Sequence, residues 1–183
     1  MIIWRFLGGA ILGSFLFCHC ASKHSNIQSV QQFIGMQIND RENLFAPPRL
    51  IIYFAATRCN LCTLRSLEQW NQEIRTSQIS TNRILFIFHT TPIHKKSICS
   101  LLKASRFSYP ILIDTVGTFE RANPHLPSDP LFHTFLLDRD NRVVLVGSPI
   151  GNPKMWELYK STIARLVENG GILPKRDTCG YRL

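Results

Sequence analysis

A chain of 183 residues, 45% hydrophobic, 10% aromatic and 18% charged, is long enough for one packed core and too apolar to stay disordered. Its formal charge of +9 raises nucleic acid as a partner. The basic residues, however, stand singly or in pairs such as Lys95-Lys96 and Lys175-Arg176, with no run, repeat or nucleic-acid motif; nucleic-acid binding is set aside in favour of a solvated surface near anionic lipid.

Residues 1–21 have the layout of a signal peptide: Arg5 closes a short basic start, residues 6–17 are uncharged and apolar, and Cys18-His19-Cys20-Ala21-Ser22 ends the segment. The apolar run is shorter than the roughly 20 residues that cross a bilayer core. Cysteine directly after such a run also fits a lipoprotein leader, with Cys20 the first lipidation candidate and Cys18 the second. Phe17 and His19 stand where a lipoprotein leader carries a small residue, so cleavage after Ala21 or Ser22 and release as a soluble protein is the alternative. Either way the domain is expected in the periplasm or cell envelope. Residues 22–32 read as a polar tether, 33–168 as the folded domain and 169–183 as a C-terminal tail.

Within the domain, the unbroken apolar run Leu50-Ile51-Ile52-Tyr53-Phe54 after Pro47-Pro48 predicts a strand buried on both faces. Residues 59–76 place Leu61, Leu64, Leu67, Trp70 and Ile74 three and four apart, one apolar stripe on a helix. Residues 83–88 predict a second buried strand, 92–105 a helix opened by Pro92, and 109–114 a third strand. Residues 134–138 and 142–146 flank the polar turn Arg139-Asp140-Asn141 as a hairpin, and 155–167 predict a closing amphipathic helix. Early strands alternating with helices, then a late antiparallel hairpin and a C-terminal helix, give an α/β class with a central mixed sheet flanked by helices.

The chemistry is concentrated in Cys59-Asn60-Leu61-Cys62. A cysteine at a helix start faces unpaired backbone N–H groups and the positive end of the dipole, which favour thiolate over thiol; Cys59 is the candidate nucleophile. Cys62, one turn later, is placed to attack a mixed disulfide and resolve it. Arg58 adds positive potential beside the nucleophile. The same spacing also supplies half a zinc site, but the other donors, His89, His94, Cys99, His125, His133 and Cys179, are isolated in sequence. A structural bridge closing so small a ring would constrain little of the unfolded chain.

Residues 51–62, Ile-Ile-Tyr-Phe-Ala-Ala-Thr-Arg-Cys-Asn-Leu-Cys, resemble the strand and active-site turn of TlpA/ResA-like thioredoxins, and residues 134–146 are similar to that family's final hairpin. The resemblance covers residues 33–168. It implies a thioredoxin-like fold, a periplasmic location and dithiol–disulfide exchange with protein thiols and disulfides, re-poised by a redox partner protein and needing no metal or other cofactor. Two departures stand out. Ala55 and Arg58 occupy positions where the family carries tryptophan, and Phe132 falls where it carries the cis-proline that shapes the substrate groove. A cis bond before a non-proline residue costs about 2.5–4 kcal/mol, so the bond to Phe132 is expected to be trans. His133 flanks the same loop, where it serves either as a base beside the thiol or as a surface group.

Cys99 reads as a small core residue and Cys179 as a tail thiol, with a bridge between them left open. The competing function is a thioredoxin-like binding or scaffold module that keeps a disulfide without turnover. A peroxiredoxin-like peroxide reductase is disfavoured, because its threonine stands three residues before the cysteine whereas Thr57 stands two before Cys59.

Overall fold

The computed structural model describes residues 30, 32–39, 47–55, 60–77 and 79–174, the side chains of 60–62 and 82 excepted. Strand β1 (Arg49–Phe54) is buried along its whole length because it has a neighbour on either side and a packed layer on each face. It pairs in parallel with β2 (Ile84–His89), setting Leu50 opposite Ile84 and Phe54 opposite Phe88, and antiparallel with β4 (Thr134–Leu137). Strand β3 (Ile111–Asp114) adds in parallel to β2, and β5 (Val143–Val146) adds antiparallel to β4. The sheet order is β3-β2-β1-β4-β5.

Side chains alternate across this sheet and build two cores. Leu50, Ile52 and Phe54, with Ile84, Phe86 and Phe88, face helices α1 (Asn60–Ser77), α2 (Lys95–Ala104) and α4 (Pro153–Glu168), which contribute Leu67, Trp70, Ile74, Leu102, Trp156 and Tyr159. Ile51, Tyr53, Leu85, Ile87, Phe135 and Leu137 face the other way, onto Phe119 of the short helix α3 (Thr118–Ala122) and onto Val30, Phe33, Met36 and Ile38 of the N-terminal segment. Both early crossovers run toward β3, so right-handed connections put α1 and α2 on the same face.

The sequence reading of this α/β class holds, with displaced boundaries that have local causes. β3 starts at Ile111 rather than residue 109 because Pro110 has no N–H for the ladder, although its carbonyl accepts from Phe86 N at 3.0 Å. Helix α2 is preceded by a 3-10 turn over Pro92–His94. Helix α4 begins at Pro153, since Asn152 caps it by accepting from Met155 N at 3.1 Å and proline suits the first helical position. The hairpin turn is built by Asp138, whose Oδ1 accepts from Asp140 N at 2.8 Å and Arg142 N at 2.9 Å, while Asn141 takes a left-handed φ of 62°.

Past α4, Gly171 holds φ at +92° and its carbonyl accepts from Arg139 N at 2.8 Å; a Cβ there would stand 2.8 Å from Arg139 Cβ. Gly171→Ala is therefore expected to lose about 1–3 kcal/mol of stability, read as a lower urea midpoint at unchanged slope. An unchanged midpoint would mean that this segment is not seated against the hairpin.

Candidate active site

The three parallel strands end on one edge of the sheet, where ligand sites of open α/β folds form. From Phe54 and Ala55 the chain passes to α1, whose first helical residue is Asn60. Cys62 is therefore in the first turn of α1, the position expected for a resolving thiol. Cys59 directly precedes Asn60 in sequence and, with Arg58 and the lipidation candidates Cys20 and Cys18, lies outside the described residues. No acidic residue occupies the first turn of α1, so the positive end of this 18-residue helix is not neutralised by its own side chains.

Phe132 and His133 come together with the middle of α1. A cleft of about 470 Å³ is lined by Ser66, Gln69 and Trp70 on one side and by Phe132, His133 and Met155 on the other. The loop is set by Asp129, whose Oδ1 accepts from Leu131 N at 2.9 Å and whose carbonyl accepts from Phe132 N at 3.0 Å. The bond into Phe132 is trans, and its N–H closes this turn, a bond that proline could not make. The Phe132 ring packs 5.9 Å from that of Phe33. Leu131, 68% exposed, forms the rim.

His133 is 6% exposed, not a solvated surface group. Its Nε2 donates to Pro127 O at 2.7 Å, which fixes a proton on that nitrogen, and its ring lies 5.1 Å from Tyr53. Its backbone carbonyl accepts from Tyr53 N at 2.9 Å, extending the β1–β4 ladder toward the sheet edge. Cys99 is half-buried on α2 and not part of the buried core, with its thiol unpaired among the described residues, outside which Cys179 lies.

On the opposite face of the same edge is a polar cluster that the sequence reading missed. The Tyr53 hydroxyl donates to Glu120 Oε1 at 2.5 Å and lies 3.2 Å from His89 Nδ1, which stands 3.4 Å from Glu120 Oε2. Burial, then the hydrogen bond to Glu120 and the charges of Glu120 and Asp114, push the Tyr53 hydroxyl far above its ordinary range. It stays a donor at any physiological pH, tying β1 to β2 and α3.

Asp114 ends β3 and caps the same region, accepting from Val116 N at 3.2 Å and Phe119 N at 2.8 Å. Burial raises its carboxyl, but the N–H donors of Phe119, Thr118 and Val116, helped by His89, outweigh that and hold it below the ordinary carboxylate value. A depressed folded value means that the stabilisation is complete above the unfolded carboxylate value, about 3.9, and is lost as pH falls through the folded one. Asp114→Asn should therefore lower the melting temperature at neutral pH and progressively less below pH 4. Parallel melting profiles for the two proteins across that window would contradict this.

A helix springing from the end of the central parallel strand, a sheet of order β3-β2-β1-β4-β5 and an antiparallel hairpin closed by a C-terminal helix together decide the architecture. The fold is thioredoxin-like. No protein-family model and no characterised protein matches the thioredoxin-like chain in sequence. Among solved structures, the chain is similar to a protein from Bacteroides thetaiotaomicron assigned as a protein disulfide isomerase, at 14% identity over 75% of this chain and 91% of that one, with a TM-score of 0.49. It is also similar to a protein from Chlorobium tepidum assigned as the thiol:disulfide interchange protein DsbE, at 17% identity over 64% and 79%, with a TM-score of 0.42. A thioredoxin-like protein from Porphyromonas gingivalis matches at 19% identity over 76% and 94%, with a TM-score of 0.40. Identities this low leave the site chemistry to be read from this chain's own residues.

Proposed function

We propose that this chain is an exported thiol–disulfide oxidoreductase of the TlpA/ResA-like kind, acting on protein disulfides or dithiols of the cell envelope through Cys59 and Cys62. The observation that carries the reading is the start of α1 at the CxxC motif, on the carboxyl end of the central strand β1, with no acid in the helix's first turn. In the reducing direction the Cys59 thiolate attacks one sulfur of the substrate disulfide, forming a mixed disulfide and expelling the other sulfur as a thiolate, which takes up a proton. Cys62 then loses its proton and attacks the Cys59 sulfur, releasing the second substrate thiol; the substrate has gained two electrons and the pair is left as a disulfide. The same steps in reverse oxidise a dithiol. A redox partner protein restores the pair.

The cleft between α1 and the loop before β4 is the proposed substrate groove, with Phe132 in place of the family's cis-proline, His133 behind it and Arg58 supplying positive potential. The leader supports export to the periplasm, and lipid on Cys20 or Cys18 would hold the domain at a membrane. Among the described residues no helix is long and apolar enough to cross one. The remodelled groove edge, where the Phe132 N–H closes on Asp129 O, is what favours the second reading, a binding module without turnover. A trapping experiment separates the two. Cys62→Ser mixed with a disulfide-linked peptide should accumulate a mixed disulfide on Cys59, identified by mass spectrometry; an adduct confined to Cys99, or none, would contradict catalysis at the motif.

A further inference from the structure

Residues 74–113 contain Arg75, Arg83, Lys95, Lys96, Lys103 and Arg106 and no aspartate or glutamate. The fold gathers four of these cations around α2, which covers the sheet near its β3 edge. Lys96, Ser100 and Lys103 recur at helical spacing along the exposed side of α2, Lys95 stands exposed at its start and Arg106 just past its end. None of Lys95, Lys96, Lys103 and Arg106 is in an ion pair among the described residues, where the ion pairs lie at His89–Glu120, Arg139–Asp140 and Lys160–Glu157. Immediately before the helix, the turn Pro92–His94 is exposed throughout and projects Ile93 at 85% exposure. An aliphatic side chain held that far out, beside Lys95 and Lys96, belongs to neither core among the described residues.

We propose that this turn and the outer face of α2 dock on the anionic surface of a lipid bilayer, with the lysines and Arg106 against headgroup phosphates and Ile93 entering the headgroup layer. The chemistry separates this occupant from the other polyanions. A single-stranded nucleic acid would need exposed aromatic rings to stack its bases, yet the aromatics next to α2, Phe107 and Tyr109, are turned inward with ring centroids 4.6 and 6.2 Å from that of Phe86. A stable acidic protein partner would need an apolar centre on its footprint, whereas this face offers one projecting side chain ringed by charge. A bilayer needs only positive charge with an apolar point to insert. The surface lies outside the thiol chemistry and does not rest on it.

The test uses the full chain, co-sedimented with vesicles of phosphatidylcholine alone and of phosphatidylcholine mixed with phosphatidylglycerol. The ratio of binding to anionic over neutral vesicles is read, so that the apolar leader, present in every variant, cancels. Each Lys at an anionic surface is worth roughly fivefold, and the variant Lys95→Gln/Lys96→Gln/Lys103→Gln is expected to lower the ratio roughly a hundredfold. Ile93→Ser should weaken binding to the anionic vesicles several-fold. All four side chains are exposed, and an unchanged circular dichroism spectrum shows that the variants fold. A ratio that the triple variant leaves unmoved overturns the proposal, as does retention of the chain by duplex DNA at physiological salt without binding to anionic vesicles.

Discussion

Replacing Cys59 with serine is expected to abolish disulfide exchange, lowering the rate by roughly a thousandfold or more, the scale on which loss of a catalytic nucleophile acts in other enzymes. The reason is ionisation: the attacking species is the thiolate, the helix start favours it, and a serine hydroxyl in the same place stays protonated. Cys62→Ser should behave differently, keeping the first attack and stopping at the mixed disulfide. Reduction of a fluorescent peptide disulfide, followed under single-turnover conditions, distinguishes them. Equal residual rates in Cys59→Ser and the wild type would move the chemistry away from this motif, and equal burst amplitudes in Cys59→Ser and Cys62→Ser would remove the assigned order of attack.

The second large effect is on stability. Trp70 joins the helix that carries the motif to the sheet and to the closing helix: its ring lies 5.7 Å from that of Phe86 and 6.0 Å from that of Trp156, edge-on to both. Trp70→Ala is expected to lose about 3–5 kcal/mol through lost burial and the cavity left behind, with each aromatic pair adding about 0.5–1.5 kcal/mol of its own. Against a total domain stability of about 5–15 kcal/mol, that leaves a protein near the edge of folding at physiological temperature. Trp70→Phe keeps much of the contact and should lose less. Urea unfolding followed by far-ultraviolet circular dichroism measures both. A loss below about 1 kcal/mol for the alanine variant would mean that α1 is not held by this packing.

The architecture was legible where one physical signal dominated. β1 reads as an unbroken apolar run because both of its faces are covered. Helix α1 reads from the spacing of Leu67, Trp70 and Ile74, all of which are buried. The hairpin reads from the polar turn Arg139-Asp140-Asn141 between two apolar runs, while Asp138, expected at the end of the strand, is the residue whose carboxylate closes the turn. Helix α3 went unread because five residues are too few to show a period, and its start depends on Asp114 reaching across Gly117 to the Phe119 amide.

The site was legible only in part. The CxxC spacing and the loop at Phe132 and His133 are visible in the chain, and the fold brings that loop beside the middle of α1 in one cleft. The burial of His133 is a tertiary fact: Pro127 O and the Tyr53 ring enclose it, and neither is signalled by its sequence neighbours. The Tyr53–His89–Glu120 cluster was hidden for a similar reason. Tyr53 sits inside an apolar run, and its partners lie 36 and 67 residues away in sequence.

Catalysis as proposed requires Cys59 and Cys62 to form one reversible redox couple. Its most direct test equilibrates the protein in glutathione buffers of graded potential, alkylates the free thiols and counts them by mass spectrometry, with Cys59→Ser and Cys62→Ser as references. One two-electron transition is expected, within roughly −270 to −120 mV, and absent from both variants. A pair that remains disulfide-bonded across the whole range, or a transition that survives in Cys59→Ser, would contradict it.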